Sequence, residues 1–94
     1  MSHSEVPPAS KFEEPILRVL GERAEPLAND AIDAGVARHI GLSEEALRVV
    51  HDPTKGSRTE FSYRMAWART RLKAKGMIER VGPGTWRLAR AGHR

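Results

Sequence analysis

The sequence predicts an α+β chain in which three to four helices precede a two-stranded β-hairpin, and three observations carry that expectation. Phe61, Met65, Ala68 and Leu72 fall at i, i+4, i+7 and i+11, the spacing of one helix face. After Gly76 the period changes from that of a helix to about 2, in runs over 77–81 and 85–89 that flank Gly82-Pro83-Gly84. Two further helical patterns, closed by Gly21 and Gly41, come before the long one.

Ninety-four residues make one domain with one modest core. Residues 1–10, with Pro7-Pro8 and small polar side chains, read as a disordered leader, 11–90 as the domain, and 91–94 as a disordered basic tail. No apolar run approaches the ~20 residues that span a bilayer, and Met1-Ser2-His3-Ser4-Glu5 lacks the features of a signal peptide, so the expected location is the cytoplasm and no membrane partner is expected. The chain has no cysteine, and His3, His39, His51 and His93 stand in no metal-ligand spacing. Neither a cofactor nor a metal is therefore expected.

The first helix should begin near Glu13 or Glu14 with Pro15 in its first turn, because a start at Ser10 would put Pro15 too deep. Ile16, Leu17, Val19 and Leu20 give it a core face. Glu25-Pro26-Leu27 is a link or a small edge strand. Asn29 or Asp30 can cap a second helix, in which Ala28, Ile32, Val36 and Ile40 recur every four residues around an interior Gly35. A short third helix follows Ser43, with Leu47 and Val50 as anchors. Turn chemistry over 52–58 leads to the long helix of residues 59–75, which Thr59 can cap and Gly76 can close. In the hairpin, Trp86 alternates with Thr85 and Arg87 and shares a face with Leu88, which favours a core position over base stacking.

Charge is divided sharply along the chain. Residues 1–54 hold five Lys or Arg against ten acids, a net of −5, whereas residues 55–94 hold eleven against Glu60 and Glu79, a net of +9. Such a basic half predicts a polyanion-binding surface. Helix geometry puts Phe61, Met65, Ala68 and Leu72 on the core side of the long helix, within about 40° of their mean direction. The groove-facing set is expected to be Ser62, Tyr63, Ala66, Arg69, Thr70 and Lys73: Arg69 and Lys73 to reach guanine edges or phosphate, Ser62 and Thr70 to meet phosphate or base edges, and Ala66 to permit close approach. Lys55, Ser57 and Arg58, in the entering loop, are expected phosphate contacts. Trp67 is read as a core-edge residue packed on another element, with an apolar contact to a base methyl group as the alternative. Arg64 either contacts DNA or is held by an acid of the N-terminal half. Arg80 and Arg87, on the hairpin, have the same two readings, DNA contact or structural pairing.

Helices in this order followed by a hairpin form the winged helix-turn-helix architecture, in which the basic helix enters the major groove. Arg64-Met65-Ala66-Trp67-Ala68, Leu72-Lys73-Ala74-Lys75-Gly76-Met77-Ile78 and Gly82-Pro83-Gly84-Thr85-Trp86-Arg87-Leu88 closely resemble the pattern of the N-terminal winged-helix domain of Mrr-type restriction proteins. Phe12 to Leu20 is similar to that domain's opening helix, and the resemblance covers roughly residues 11 to 92. It departs from the pattern at Pro83, where a basic wing residue is usual, and at Ala89, where Thr is usual. The resemblance implies a double-stranded DNA-binding module of a modification-dependent restriction system that recognises methylated DNA, with a nuclease domain or subunit as a further partner.

Catalysis within this chain is not expected. No Asp or Glu stands two residues before a Lys, as a PD-(D/E)xK nuclease requires, and no G-x-S-x-G or P-loop is present. Glu13-Glu14 and Glu44-Glu45 sit where acids favour helix N-termini. The rival readings are a protein-interaction or dimerisation winged helix, centred on Trp67, Tyr63 and Ala74, and a small transcriptional regulator. Whether the chain acts as a monomer or a dimer is open at this point.

Overall fold

The computed structural model describes residues 6–23, 25–50, 54, 56 and 58–89. A 3-10 turn, Ala9–Phe12, leads into α1 (Glu13–Gly21); β1 (Leu27–Ala28), α2 (Asn29–Ile40), α3 (Glu44–Arg48), α4 (Glu60–Ala74), β2 (Ile78–Gly82) and β3 (Thr85–Leu88) follow. β3 lies between β1 and β2, antiparallel to both, so of the two expectations for 25–27, a link or a small edge strand, the second holds at Leu27 and gives the two-stranded wing a third strand. This is the winged helix-turn-helix arrangement.

The apolar patterns of the sequence meet in one core. Ile16, Val19 and Leu20 of α1, Ile32 and Val36 of α2, Phe61, Met65, Ala68 and Leu72 of α4, and Ile78 of β2 are buried together. Phe12, which the helical patterns did not include, is fully buried at the turn entering α1 and meets Phe61 edge-on, with ring centroids 5.4 Å apart. Such pairs add to the burial of the rings themselves. In α3 the buried residue is Ala46, while Val50 lies exposed beyond the helix end, bridged to Thr59. Gly35 allows α1 and α2 to cross closely, since a Cβ there would meet a Val19 methyl at 3.0 Å.

Helix ends are satisfied largely by local chemistry. Ser43 accepts from the Ala46 N–H at 3.0 Å and Thr59 from the Ser62 N–H at 3.1 Å. α4 closes with Gly76 at φ 77°, the Met77 N–H reaching the Leu72 carbonyl and the Gly76 N–H that of Lys73. Asn29 departs from the expected capping role. Its side chain accepts from Trp86 Nε1 at 2.8 Å and its backbone N–H donates to the Gly84 carbonyl, so it ties the wing to the start of α2. Residues 6–10, expected to belong to the leader, are docked: Val6 and Ala9 pack on the core. The Arg64 guanidinium donates to the Val6 carbonyl at 2.5 Å and to Glu60 at 2.5 Å.

Two ion-pair clusters connect α4 to its neighbours. Arg71 and Lys75 converge on Glu13 of α1 at 2.5 and 2.6 Å, and hydrogen bonds from both hold its carboxyl below the usual range. On the other side of the core stripe, Arg69 pairs with Asp33 of α2 at 2.7 Å with its side chain only 8% exposed. Burial lifts the Asp33 carboxyl, and the Arg69 charge opposes that rise.

Because Glu13 has a depressed pKa in the fold, its contribution is complete above its ordinary value of 4.5 and disappears as pH falls through the folded value. Glu13→Gln should therefore cost about 0.5–1 kcal/mol near neutrality, limited by the half-exposed cations. Thermal melts of both proteins across an acid series should show that difference shrinking below pH 4.5. Arg69→Ala or Asp33→Ala should each cost roughly 3 kcal/mol by stranding the other charge, whereas joint Asp33→Leu and Arg69→Met replacement should recover most of the loss in denaturant titrations.

Candidate nucleic-acid interface

With Phe61, Met65, Ala68 and Leu72 turned inward, α4 presents Ser62, Tyr63, Ala66, Trp67, Thr70 and Lys73 on its outer side. Ser62, Tyr63 and Ala66 are half-buried, while Trp67, Thr70 and Lys73 are exposed. Arg69 does not join this set. At about 100° per residue it lies roughly 70° from the centre of the core stripe, close enough to turn inward to Asp33. The expectation of a groove-facing Arg69 is corrected on that ground.

Trp67 is corrected in the opposite sense. It does not join the core cluster, and at 52% exposure it is the most exposed large apolar side chain among the described residues. Arg58, Tyr63, Ala66, Trp67 and Thr70 line a shallow, mostly apolar depression of about 190 Å³. The Thr70 hydroxyl donates back to the Ala66 carbonyl at 3.0 Å, so its hydrogen is already engaged within the helix. Arg58 is exposed, with its guanidinium carbon 5.6 Å from the centre of the Tyr63 ring, a cation–π arrangement that fixes one rim of the depression.

A larger cleft of about 760 Å³ separates the C-terminal end of α4 from the wing, lined by Lys73, Ile78, Glu79, Arg80 and Pro83 among others. Lys73 and Arg80 are both exposed, and Arg80 donates to the Gly82 carbonyl at 3.3 Å. Arg80 thus supplies a hairpin cation where the tip itself carries Pro83. Arg87 instead faces Glu79 across the hairpin at 2.5 Å, an exposed pair. Arg64 is held by Glu60 of its own helix and by the Val6 and Pro7 carbonyls, so among the described residues its N-terminal restraint comes from backbone carbonyls. Lys55 and Ser57 lie outside the described residues.

The expected surface is therefore divided. Thr70, Lys73, Tyr63, Ala66, Ser62 and Arg58 come together on one side of α4, Arg80 joins them across the cleft, and Arg69, Arg64 and Arg87 are engaged elsewhere. The helix angle of Arg69 was the signal that could have identified its inward position; nothing local marked Asp33 as its partner. Among the described residues, no three of His, Cys, Asp or Glu gather as potential metal ligands, and no helix is long and apolar enough to cross a membrane.

No solved structure matches the chain. The chain is 33% identical over 88 residues to the type IV methyl-directed restriction enzyme EcoKMrr of Escherichia coli (strain K12). That alignment takes in 93% of this chain and spans 28% of the length of the relative. The family described as the Mrr N-terminal domain matches residues 10–94, from just before α1 through the wing, and the chain belongs to that family.

Proposed function

We propose that the chain is a double-stranded DNA-binding module, the recognition domain of a modification-dependent restriction system, with no nuclease activity of its own. The observation that carries this reading is the outer side of α4, where Lys73 faces a cleft shared with Arg80 of the wing and Arg58 flanks the opposite end. A helix of this diameter fits the major groove, and cations placed along it and on an adjoining hairpin are positioned for phosphates on either side. The relative is a methyl-directed restriction enzyme far longer than this chain, which supports assigning recognition here and cleavage to another domain or subunit. The absence of an Asp or Glu two residues before any Lys supports the same division.

A second reading, a protein-interaction or dimerisation module, is favoured by the exposure of Trp67. A regulator of transcription would share the DNA-binding physics and differ in its target.

Binding of the full chain to a ~20 bp duplex should weaken with salt, each neutralised phosphate adding about −0.9 to the log-log slope. Lys73→Ala and Arg80→Ala should each weaken binding and reduce that slope by about 1, with melting temperatures unchanged. Competition between methylated and unmethylated duplexes of equal sequence should favour the methylated one. A flat salt response, or unaltered binding by both variants, contradicts DNA recognition by this face.

A further inference from the structure

We propose that the groove between α1 and α2 docks an acidic segment of a partner protein, whose carboxylates pair with Arg18, Arg23 and Arg38. This surface is distinct from the outer side of α4, and its role does not depend on DNA binding there.

Helix geometry separates the groove from α4. On α1, Glu13 meets Arg71 and Lys75 of α4, while Arg18 and Glu22 lie roughly 140–180° around the helix from it. On α2, Asp33 meets Arg69 of α4, while Ala31, Gly35 and Arg38 lie roughly 140–160° from Asp33. Both helices therefore turn the groove away from α4. It holds about 280 Å³ over a floor of Val19, Leu27 and Ala31. A second depression of about 570 Å³, along Glu14, Pro15 and Leu17, continues it through shared walls of Arg18 and His39. From Glu14 to Glu22 the two follow α1 for ~12 Å, the reach of about four residues of extended chain.

Charge selects the occupant. Residues 1–54 carry a net of −5, yet three of their five Lys or Arg line this one groove. Arg48, by contrast, pairs with Glu44 on its own helix. Arg18, Arg23 and Arg38 are exposed and form no ion pair among the described residues, although Glu14 and Glu22 stand one turn either side of Arg18. Their guanidinium groups can take carboxylates in paired hydrogen bonds. A nucleic-acid backbone suits the groove less well. Its phosphates follow one another closely, which would set negative charge against Glu14 and Glu22 as well as against the arginines. A protein segment can place acids opposite the cations alone and aliphatic side chains on Val19 and Leu27, where apolar burial adds to the pairing.

The test titrates a labelled ~8-residue peptide of Glu and Leu against the full chain by fluorescence anisotropy, with Gln in place of Glu as the neutral control. The acidic peptide should bind and the neutral one should not. Arg18→Ala and Arg38→Ala should each weaken binding about threefold, and Arg18→Glu combined with Arg38→Glu should abolish it. Both arginines are exposed, so melting temperatures should hold. Lys73→Ala and Arg80→Ala should leave peptide binding unchanged, as should saturating duplex DNA. Peptide binding that either of these two variants weakens, or that duplex displaces, belongs to the outer side of α4 and overturns the proposal. So does the absence of binding, or binding indifferent to Arg18 and Arg38. A single-stranded oligonucleotide of equal length that binds more tightly than the peptide, and is lost in the double reversal, assigns the groove to nucleic acid instead. Failure of the chain to bind any duplex overturns the DNA-binding reading and leaves peptide docking standing.

Discussion

The ion pair between Asp33 and Arg69 joins α4 to α2 through a buried side chain and so constrains which residues of α4 can face outward. A helix packed by one apolar stripe can roll about that stripe unless its flanks are fixed. Here Arg69 anchors one flank to α2, while Arg64 anchors the other to the Val6 carbonyl and Arg71 and Lys75 anchor it to Glu13 of α1. Apolar burial selects which face of α4 turns inward, and these directional contacts limit rotation within that choice. Trp67 and Thr70 are exposed, with Ala66 half-buried between them, because both sides of the helix are held.

The opposite charges of the two halves of the chain acquire a different meaning from this arrangement. Glu13 and Asp33 belong to the acidic half; Arg69, Arg71 and Lys75 belong to the basic half. Part of the asymmetry is therefore internal complementarity across the core, consumed when α4 docks on α1 and α2. The exposed pairs contribute modestly because water screens them, while the buried Arg69 matters mainly through the cost of leaving it unpaired. Net charge along a sequence reports the partners a surface could attract, but it does not distinguish a charge that meets solvent from one that meets another helix.

This distinction explains what the sequence disclosed. The helical stripe of α4, the cap at Thr59, the Gly76 stop and the change to period 2 each follow from local geometry, and each is present in the fold. The third strand was harder to read because its two residues gain a partner only when β3 arrives from far along the chain. Asn29 illustrates the same limit: a residue suited to capping instead holds Trp86 and Gly84, partners that sequence separation conceals. At the candidate interface, Lys73 and Thr70 were legible from helix angle, and so was the outward direction of Trp67, about 130° from the centre of the core stripe; the core-edge expectation came from its aromatic side chain, which ordinarily implies burial.

Asn29 also connects the interface to the body of the fold. The wing has only short strands, and a two-stranded ribbon alone is marginal in water. β1 supplies a third strand, and Asn29 at the adjoining start of α2 holds the far end through Trp86 and the Gly84 carbonyl. The same α2 holds α4 through Asp33. Both walls of the cleft containing Lys73 and Arg80 are consequently referenced to one helix, Asn29 fixing the wing at its first residue and Asp33 fixing α4 one turn later. A cation pair suspended on two independently mobile elements would lose orientational freedom on meeting a polyanion; one helix that positions both removes much of that cost before binding.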